Sequence, residues 1–263
     1  MTTILGILNI TDDSFSDGGK YLDPAAAIAH GRAMRDDGAD VLDVGATSSN
    51  PDSQGVPPKT EIARLESVQP LLSGVPLSID TFSLPVQRWA LTQNVAYLND
   101  IEGFADPALY PDLAASPAKL IVMHSVQQRG AATRIDIPPG EIIDRIFRFF
   151  DARLAALETA GIARDRLILD PGMGFFLGTD PQTSLTVLRR LPELKTRFGL
   201  PLLVSVSRKS FLRALTGRSA ADAGAVSLAA ELYAVRQGAD YIRTHAPGPL
   251  RDGLLLGRAL DGA

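Results

Sequence analysis

Two aspartates, Asp80 and Asp170, each close a short apolar run, Leu77–Asp80 and Leu167–Asp170. A carboxylate at the end of a buried run loses solvation, which is costly unless a donor or a cation replaces the water. A ligand can supply that partner, and so can a following helix that uses the Asp as its N-cap. The cap reading is weaker for Asp170, because Pro171-Gly172 turns the chain directly after it. Two amides, Asn9 and Asn99, close similar runs. An amide both donates and accepts, so it suits the edge of a heterocycle. Its oxygen also suits a hard cation such as Mg2+, and a loop-fixing hydrogen bond is a third use. Ser205-Val206-Ser207-Arg208-Lys209-Ser210 sets two adjacent cations and several hydroxyls at the start of a helix-like segment, a pattern suited to an anion or phosphate. Arg243-Thr244-His245 adds a further cation and an imidazole.

These residues lie far apart in the chain, so the elements that gather them matter. Eight short apolar runs end on a polar residue and hand over to a helix-like stretch: Ile4–Asn9, Asp40–Gly45, Leu77–Asp80, Tyr97–Asp100, Leu120–His124, Leu167–Asp170, Leu202–Ser205 and Tyr241–His245. The runs are continuous rather than alternating, which favours a parallel sheet covered by helices. The spacing predicts helices over Pro24–Asp37, Glu61–Leu72, Pro85–Gln93, Pro107–Ala115, Glu141–Ala160, Pro181–Arg197, Ala220–Gln237 and Pro249–Leu260. Gly38, Gly161 and Gly238 stand where helices should stop. Eight uninterrupted units favour a closed α/β (TIM) barrel, (β/α)8, over an open doubly wound sheet. In such a barrel the carboxyl ends of the strands share one rim, where the active site sits, with phosphate commonly bound after strands 7 and 8. Two loops on that rim, Ile10–Asp23 and Ala46–Thr60, are long and rich in Gly, Ser, Asp and Pro, and read as lids or as solvated connections. Phe15 is an aromatic stranded in the first of them.

Length and composition bound the rest. At 263 residues and 45% apolar content, with no linker-like segment, the chain reads as a single domain over 1–263. A net charge of −4 gives no footprint for nucleic acid. No apolar stretch is long enough to span a membrane, and the start MTTILGILNI lacks the features of a signal peptide. The absence of cysteine excludes disulfides and thiolate chemistry and fits a cytoplasmic enzyme. Neither a nucleophile elbow nor a Walker A motif is present.

Read together, the motifs resemble those of the dihydropteroate synthases. They are Gly6-Ile7-Leu8-Asn9-Ile10-Thr11, Asp13-Ser14-Phe15-Ser16-Asp17-Gly18-Gly19, Asp43-Val44-Gly45, Ile79-Asp80-Thr81, Asn99-Asp100-Ile101, Met123-His124, Leu169-Asp170-Pro171-Gly172, Ser207-Arg208-Lys209-Ser210 and Ile242-Arg243-Thr244-His245, in family order over nearly the whole chain. The resemblance implies an Mg2+-using transferase of folate biosynthesis. Its reaction condenses a hydroxymethyl-dihydropterin pyrophosphate with p-aminobenzoate and releases pyrophosphate. It further implies that Asp80, Asn99, Met123, Asp170 and Lys209 hold the pterin, that Asn9, Arg243 and His245 hold pyrophosphate with Asn9 on Mg2+, and that Phe15, Ser49, Phe175 and Ser210 frame p-aminobenzoate. Asp17, with Asp80, Asp170 and Lys209, stands nearest the chemistry. A homodimer through the late helices is implied as well.

The chain departs from the family pattern at Asp12, at Ser48-Ser49-Asn50-Pro51, where an arginine is replaced by Asn50, at Ser205, and at Gly174-Phe175-Phe176-Leu177-Gly178. These departures resemble the acquired, sulfonamide-insensitive form. Phe176 is expected to fill space that a sulfonamide needs and p-aminobenzoate does not; the competing reading makes it a core residue behind strand 6. A pterin-dependent methyltransferase and a non-catalytic pterin-binding module are the rival functions, and neither requires the anion cluster in this form.

Overall fold

The computed structural model describes residues 1–11, 23–53, 55–68, 70, 74–127 and 129–262. Phe15, Asp17 and most of the Ile10–Asp23 loop lie outside the described residues. Eight parallel strands run as β1 (Thr3–Asn9), β2 (Val41–Gly45), β3 (Leu77–Asp80), β4 (Tyr97–Asp100), β5 (Lys119–Met123), β6 (Leu167–Asp170), β7 (Leu203–Val204) and β8 (Tyr241–Thr244). Their order is β6-β5-β4-β3-β2-β1-β8-β7. A bridge between Leu169 and Leu202, with Leu169 N donating to Pro201 O at 2.9 Å, joins β6 to the β7 side and closes the barrel.

The side-chain period of two divides each strand between two apolar environments. Ile4, Leu8, Leu42, Val44, Leu98 and Leu120 point outward into the large core under the helices. Leu5, Val41, Ile121, Ile168, Leu203 and Tyr241 point inward and fill the lower barrel, with Tyr97 packed against them. Two residues further along, the same inward register presents Asp43, Asn99, Met123, Asp170, Ser205 and Arg243. Packing of one layer therefore aims the next layer's polar groups into a common space.

The helices are α1 (Pro24–Asp36), α2 (Pro58–Glu66), α3 (Leu84–Thr92), α4 (Tyr110–Ala115), α5 (Ile142–Thr159), α6 (Pro181–Arg189), α7 (Leu191–Phe198), α8 (Ser210–Thr216), α9 (Gly224–Arg236) and α10 (Pro247–Asp261). Three differ from the periodicity in kind. Pro107–Ala115 divides into a 3-10 turn, Pro107–Leu109, and α4. Pro181–Arg197 divides into α6 and α7 because Pro192 lacks the N–H that a continuous helix would need. Ser210–Thr216, following the basic motif, forms a helix of its own, ended by Gly217 at φ 67°.

A Gly-Ala-Asp triplet occurs twice, at 38–40 and 238–240, and does the same work each time. Gly38 (φ 100°) and Gly238 (φ 96°) reverse the chain after a helix, a conformation that disfavours other residues. Ala39 and Ala239 are buried. Asp40 then accepts from Ile4 N at 2.8 Å and pairs with Arg251, while Asp240 accepts from Leu202 N at 2.8 Å and pairs with Lys195 at 2.5 Å. Each triplet thus ties the start of a neighbouring strand to a helix at the lower end of the barrel.

Candidate active site

A pocket opens on the upper rim. Of the residues expected to act, Asn9, Asp80, Lys209, Arg243 and His245 line it on the strand side, and Ser49, Phe175, Phe176 and Ser210 line it from the loops. Asn99, Met123 and Asp170 lie beside or beneath it, all nearly fully buried. Register explains their placement: Asn99 pairs with Asp80 across β3 and β4, and Asp170 with Met123 across β5 and β6.

The charged groups form a connected set. Arg243, 14% exposed, lies between two carboxylates, donating through Nε to Asp43 and through Nη2 to Asp80 at 2.6 Å. Burial works against its charge, yet Asp43 and Asp80 outweigh that and hold the guanidinium protonated. Arg243 is thus anchored on the carboxylate side as well as facing the pocket. Burial pushes the Asp80 carboxyl up to about 7, against the pull of Arg243 and with the push of Asp43 and Asp100. Asp170 rises to about 6, again through burial, although Gly172 N donates to its Oδ1 at 2.8 Å. Burial and then Arg243 bring Lys209 down to about 8 against the pull of Asp170 and Asp80. Asn99 Oδ1, Asp43 Oδ1 and Ser205 Oγ are buried without a hydrogen-bond partner among the described residues. Unmet buried groups of this kind are expensive in a resting protein and ready for a ligand's donors.

Other rim residues turn out to be structural. Asp100 spends both carboxyl oxygens on backbone, accepting from Glu102 N and Phe104 N at 2.8 Å each, which holds the turn through Gly103 and Phe104 at φ 62°. His124 Nδ1 lies 3.1 Å from Pro171 O, and its ring meets Phe149 edge-on, so it ties β5 to the turn after β6. Burial lowers it to about 4, leaving a neutral imidazole.

The basic segment after β7 takes a strained path. Arg208 sits at φ 57°, outside the usual range for a side-chain-bearing residue, at a cost of about 1–3 kcal/mol. Ser227 Oγ accepts from its N–H at 2.9 Å and pins it there. Lys209 is thereby directed over the Phe176 ring, its Nζ 5.2 Å from the centroid. Phe176 is 6% exposed and belongs with Ile101, Met123 and Ala132 to a small apolar cluster separate from the main core. Phe175 packs against that cluster, with the Arg134 guanidinium 5.6 Å from its ring.

Three features were not anticipated from sequence. Asp43 is the fully buried anchor of Arg243. Arg213 and Ala220 extend the pocket beyond the basic motif. The segment after β5 is a third rim loop: Ala132 lines the pocket, its N donates to Ser49 O at 2.9 Å, and Arg134 pairs with Asp52. Its turn residues, Ser125, Gly130 and Pro138-Pro139-Gly140, are spread out rather than clustered, and only its length before the α5 pattern signalled it. The same loop is stitched to the turn after β6 by Thr179 N donating to Ile135 O at 2.9 Å and Thr183 Oγ1 to Ile137 O at 3.1 Å.

The pocket's pairing of buried carboxylates with a basic strand-7/strand-8 edge can be set against known proteins. The pterin binding enzyme family matches residues 5–245. This chain belongs to the dihydropteroate synthase family. It is 61% identical over 259 residues to the dihydropteroate synthase type-2 of Escherichia coli, covering 98% of this chain and 95% of that one. It is 50% identical over 262 residues to the type-3 protein of Escherichia coli, covering 99% of this chain and all of that one. Among solved structures, the Xanthomonas albilineans dihydropteroate synthase with 4-aminobenzoic acid superposes with a TM-score of 0.89 at 34% identity, covering 100% of this chain and 94% of that one. The chain is accordingly a transferase with dihydropteroate synthase activity on a TIM barrel. No helix among the described residues is long and apolar enough to cross a membrane.

Proposed function

We propose that the pocket carries out the dihydropteroate synthase reaction with a division of labour visible in its charges. The supporting observation is the juxtaposition of Asp80, Asn99 and Asp170 with Lys209, Arg243 and His245 across one buried space. The carboxylates and the Asn99 oxygen accept the N–H donors of the pterin edge, and Met123 lies against the ring. As the bond to pyrophosphate breaks, positive charge develops on the pterin methylene. The buried carboxylates stabilise it, while Lys209, Arg243 and His245 address the departing anion. The aromatic amine of p-aminobenzoate is already a nucleophile when neutral, so positioning supplies most of what remains. Ser49, Phe175 and Ser210 frame that substrate; the roles expected of Phe15 and Asp17 fall on residues outside the described ones.

Mg2+ belongs in this reading as a companion of the pyrophosphate. The described residues hold no group of three or more His, Asp or Glu able to cage a metal, and the half-buried Asn9 offers the pocket a neutral amide oxygen. That donor set fits an ion carried chiefly by phosphate oxygens. When bound, it neutralises charge on the leaving pyrophosphate.

The position of Phe176 supports sulfonamide insensitivity. The ring lines the pocket and is braced by Lys209 and the Ile101–Met123 cluster. A braced ring cannot yield to a bulky sulfonyl substituent, while a planar carboxylate needs less room, so the drug alone is penalised. Self-association through the late helices is the accompanying proposal, supported by Leu255, Leu256 and Leu260 exposed on α10. A monomeric mass in light scattering would reject it. The test of the function itself is pyrophosphate release from the pterin pyrophosphate with Mg2+, which should depend on p-aminobenzoate and persist with sulfonamide present. Binding without amine-dependent release would instead favour a pterin-binding module.

A further inference from the structure

The segment between β5 and α5 is tied to both flanks of the p-aminobenzoate half of the pocket by contacts that the reaction above does not use. Val126 N donates to Phe176 O at 3.0 Å, and Gly130 N donates to Glu102 Oε1 at 2.6 Å. Ala132 then lines the pocket, and its N donates to Ser49 O at 2.9 Å. Two residues on, Arg134 meets Asp52 with both ends of its fork: Nη1 donates to Oδ1 at 2.8 Å and Nη2 donates to Oδ2. The same guanidinium lies over the Phe175 ring, 5.6 Å from its centroid. Thr179 N donates to Ile135 O at 2.9 Å. Gly178, at φ 124°, permits that approach, since a Cβ there would stand 3.0 Å from the Ile135 oxygen. Residues 132–135 thus form a strap between the loop after β2 and the turn after β6.

What the strap grips after β2 is a closed unit. Ser53 Oγ lies within hydrogen-bond reach of Ser48 O and Asn50 O, at 3.0 and 2.7 Å. Ser53 N donates to Asn50 O at 3.1 Å, and Asp52 N to Asn50 Oδ1 at 3.2 Å. Residues 48–53 therefore close on themselves, and the strap holds them at Ser49 and again at Asp52. Ser49 and Asn50 of this turn line the pocket. On the other flank, the two rings of the strand-6 turn are each capped by a cation from a different element, Phe176 by Lys209 and Phe175 by Arg134. The Arg134 and Asp52 side chains are 51% and 58% exposed, and a pair that open contributes little to stability. Its geometry supplies position instead. One planar guanidinium serves a carboxylate through its edge and a ring through its face.

We propose that Arg134 is a positioning residue for p-aminobenzoate: by pairing with Asp52 and stacking on Phe175, it fixes the 48–53 turn and the Phe175 ring as two walls of that half of the pocket. The inference rests on the placement of p-aminobenzoate between Ser49, Phe175 and Ser210. Arg134 itself stands outside the pocket lining, so it reaches the substrate only through those walls. A wall that has been loosened must be ordered again each time the substrate binds, and the ordering lowers affinity. Asp80, Asn99 and Asp170 stand on strands and are held by the barrel itself, so the pterin half is insulated from the strap.

Amine-dependent pyrophosphate release by the full-length enzyme, with backbone hydrogen exchange measured on the same preparations, tests this. Arg134→Ala should raise the KM for p-aminobenzoate roughly three- to tenfold, the cost of ordering one or two side chains on binding, with kcat and the KM for pterin pyrophosphate little changed. Exchange over residues 48–53 should quicken in that variant before any substrate is added, while the strands stay protected. Arg134→Lys should recover only part of the loss, because a point charge replaces the planar fork. Asp52→Ala should raise the same KM, and the double variant should be no worse than Arg134→Ala, as expected of two partners in one contact. Unchanged KM and unchanged exchange in folded Arg134→Ala overturn the proposal. So does an equal rise in the KM of both substrates, or effects of Asp52→Ala and Arg134→Ala that multiply in the double variant. Phe175→Ala separates the proposal from the reading beneath it. If Arg134→Ala quickens exchange but neither it nor Phe175→Ala alters the KM for p-aminobenzoate, that substrate lies elsewhere, and the role of Arg134 falls with the placement. If Phe175→Ala raises that KM and Arg134→Ala does not, the placement stands and the role of Arg134 is rejected.

Discussion

The lower and upper halves of the barrel interior are built from the same strands, two residues apart, and behave as opposites. Below, Leu5, Val41, Ile121, Ile168, Leu203 and Tyr241 form a closed apolar layer, with the Tyr97 and Tyr241 rings in edge contact at 6.3 Å. Above, Asp43, Asp80, Asn99, Asp170 and Arg243 crowd into a space where Asp43 Oδ1, Asn99 Oδ1 and Ser205 Oγ have no hydrogen-bond partner among the described residues. The lower layer repays its burial in stability. The upper layer holds charge that the resting protein satisfies incompletely, which is the condition for binding a polar substrate tightly as its charge develops.

The strongest way to break this contrast is to remove an upper carboxylate. Asp80→Ala or Asp170→Ala should lower turnover by about three orders of magnitude or more, since transition-state stabilisation by one preorganised group is commonly worth 10²–10³ and here substrate binding is lost as well. Near-normal turnover in both would show that the upper layer is not the reaction centre. Lys209→Ala and Arg243→Ala should follow, weakening competition by free pyrophosphate roughly tenfold while leaving the KM for p-aminobenzoate little changed. Arg243→Ala should also lower stability, because it leaves Asp43 buried and unpaired. Unaltered inhibition by pyrophosphate would move the anion site elsewhere.

A smaller effect sharpens the contrast at its edge. Phe176→Gly should restore sulfonamide inhibition by roughly 10- to 200-fold, the range pocket contacts ordinarily give, while turnover with p-aminobenzoate survives. A folded, active variant that stays insensitive would shift attention to Ser49, Asn50 or Ser205. The smallest effect is expected at Arg134→Ala. This residue joins two rim loops through an exposed pair with Asp52, so stability should change little. A larger loss would show that the loop clasp carries more of the rim's order than exposed ion pairs usually do.

Much of this contrast was legible in the sequence, and its gaps have physical causes. Each continuous apolar run marked a strand, and its terminal polar residue marked the rim, because a buried parallel strand leaves nowhere else for polar groups. The break between α6 and α7 was hidden because Leu188, Leu191 and Leu194 keep helical spacing straight through it. Residue type alone did not separate Asp100 and His124, which hold turns, from Asp170, which faces the site. Asp100 gives both oxygens to backbone N–H groups and His124 bonds the Pro171 carbonyl, and no spacing records the direction of those backbone groups. Asp43 was visible as a rim residue, but its partner Arg243 lies 200 positions away.

Ile168 and Asp170 sit two positions apart on β6, one in each layer, and test the central claim most directly. Urea unfolding and pyrophosphate release should be measured on the same preparations of Ile168→Ala and Asp170→Asn. Ile168→Ala should lose about 2–5 kcal/mol of stability and keep its turnover per folded molecule. Asp170→Asn should do the reverse. The raised carboxyl means the folded state binds a proton more tightly than the unfolded chain, so wild-type stability falls as pH rises from about 4 to about 6. Replacing the acid with a neutral amide removes that loss, so the variant should be more stable than wild type at pH 7 by about 1–3 kcal/mol and show turnover lowered at least about a hundredfold. Parallel losses of stability and turnover in both variants would contradict the division of the barrel into a layer that holds the fold and a layer that does the chemistry.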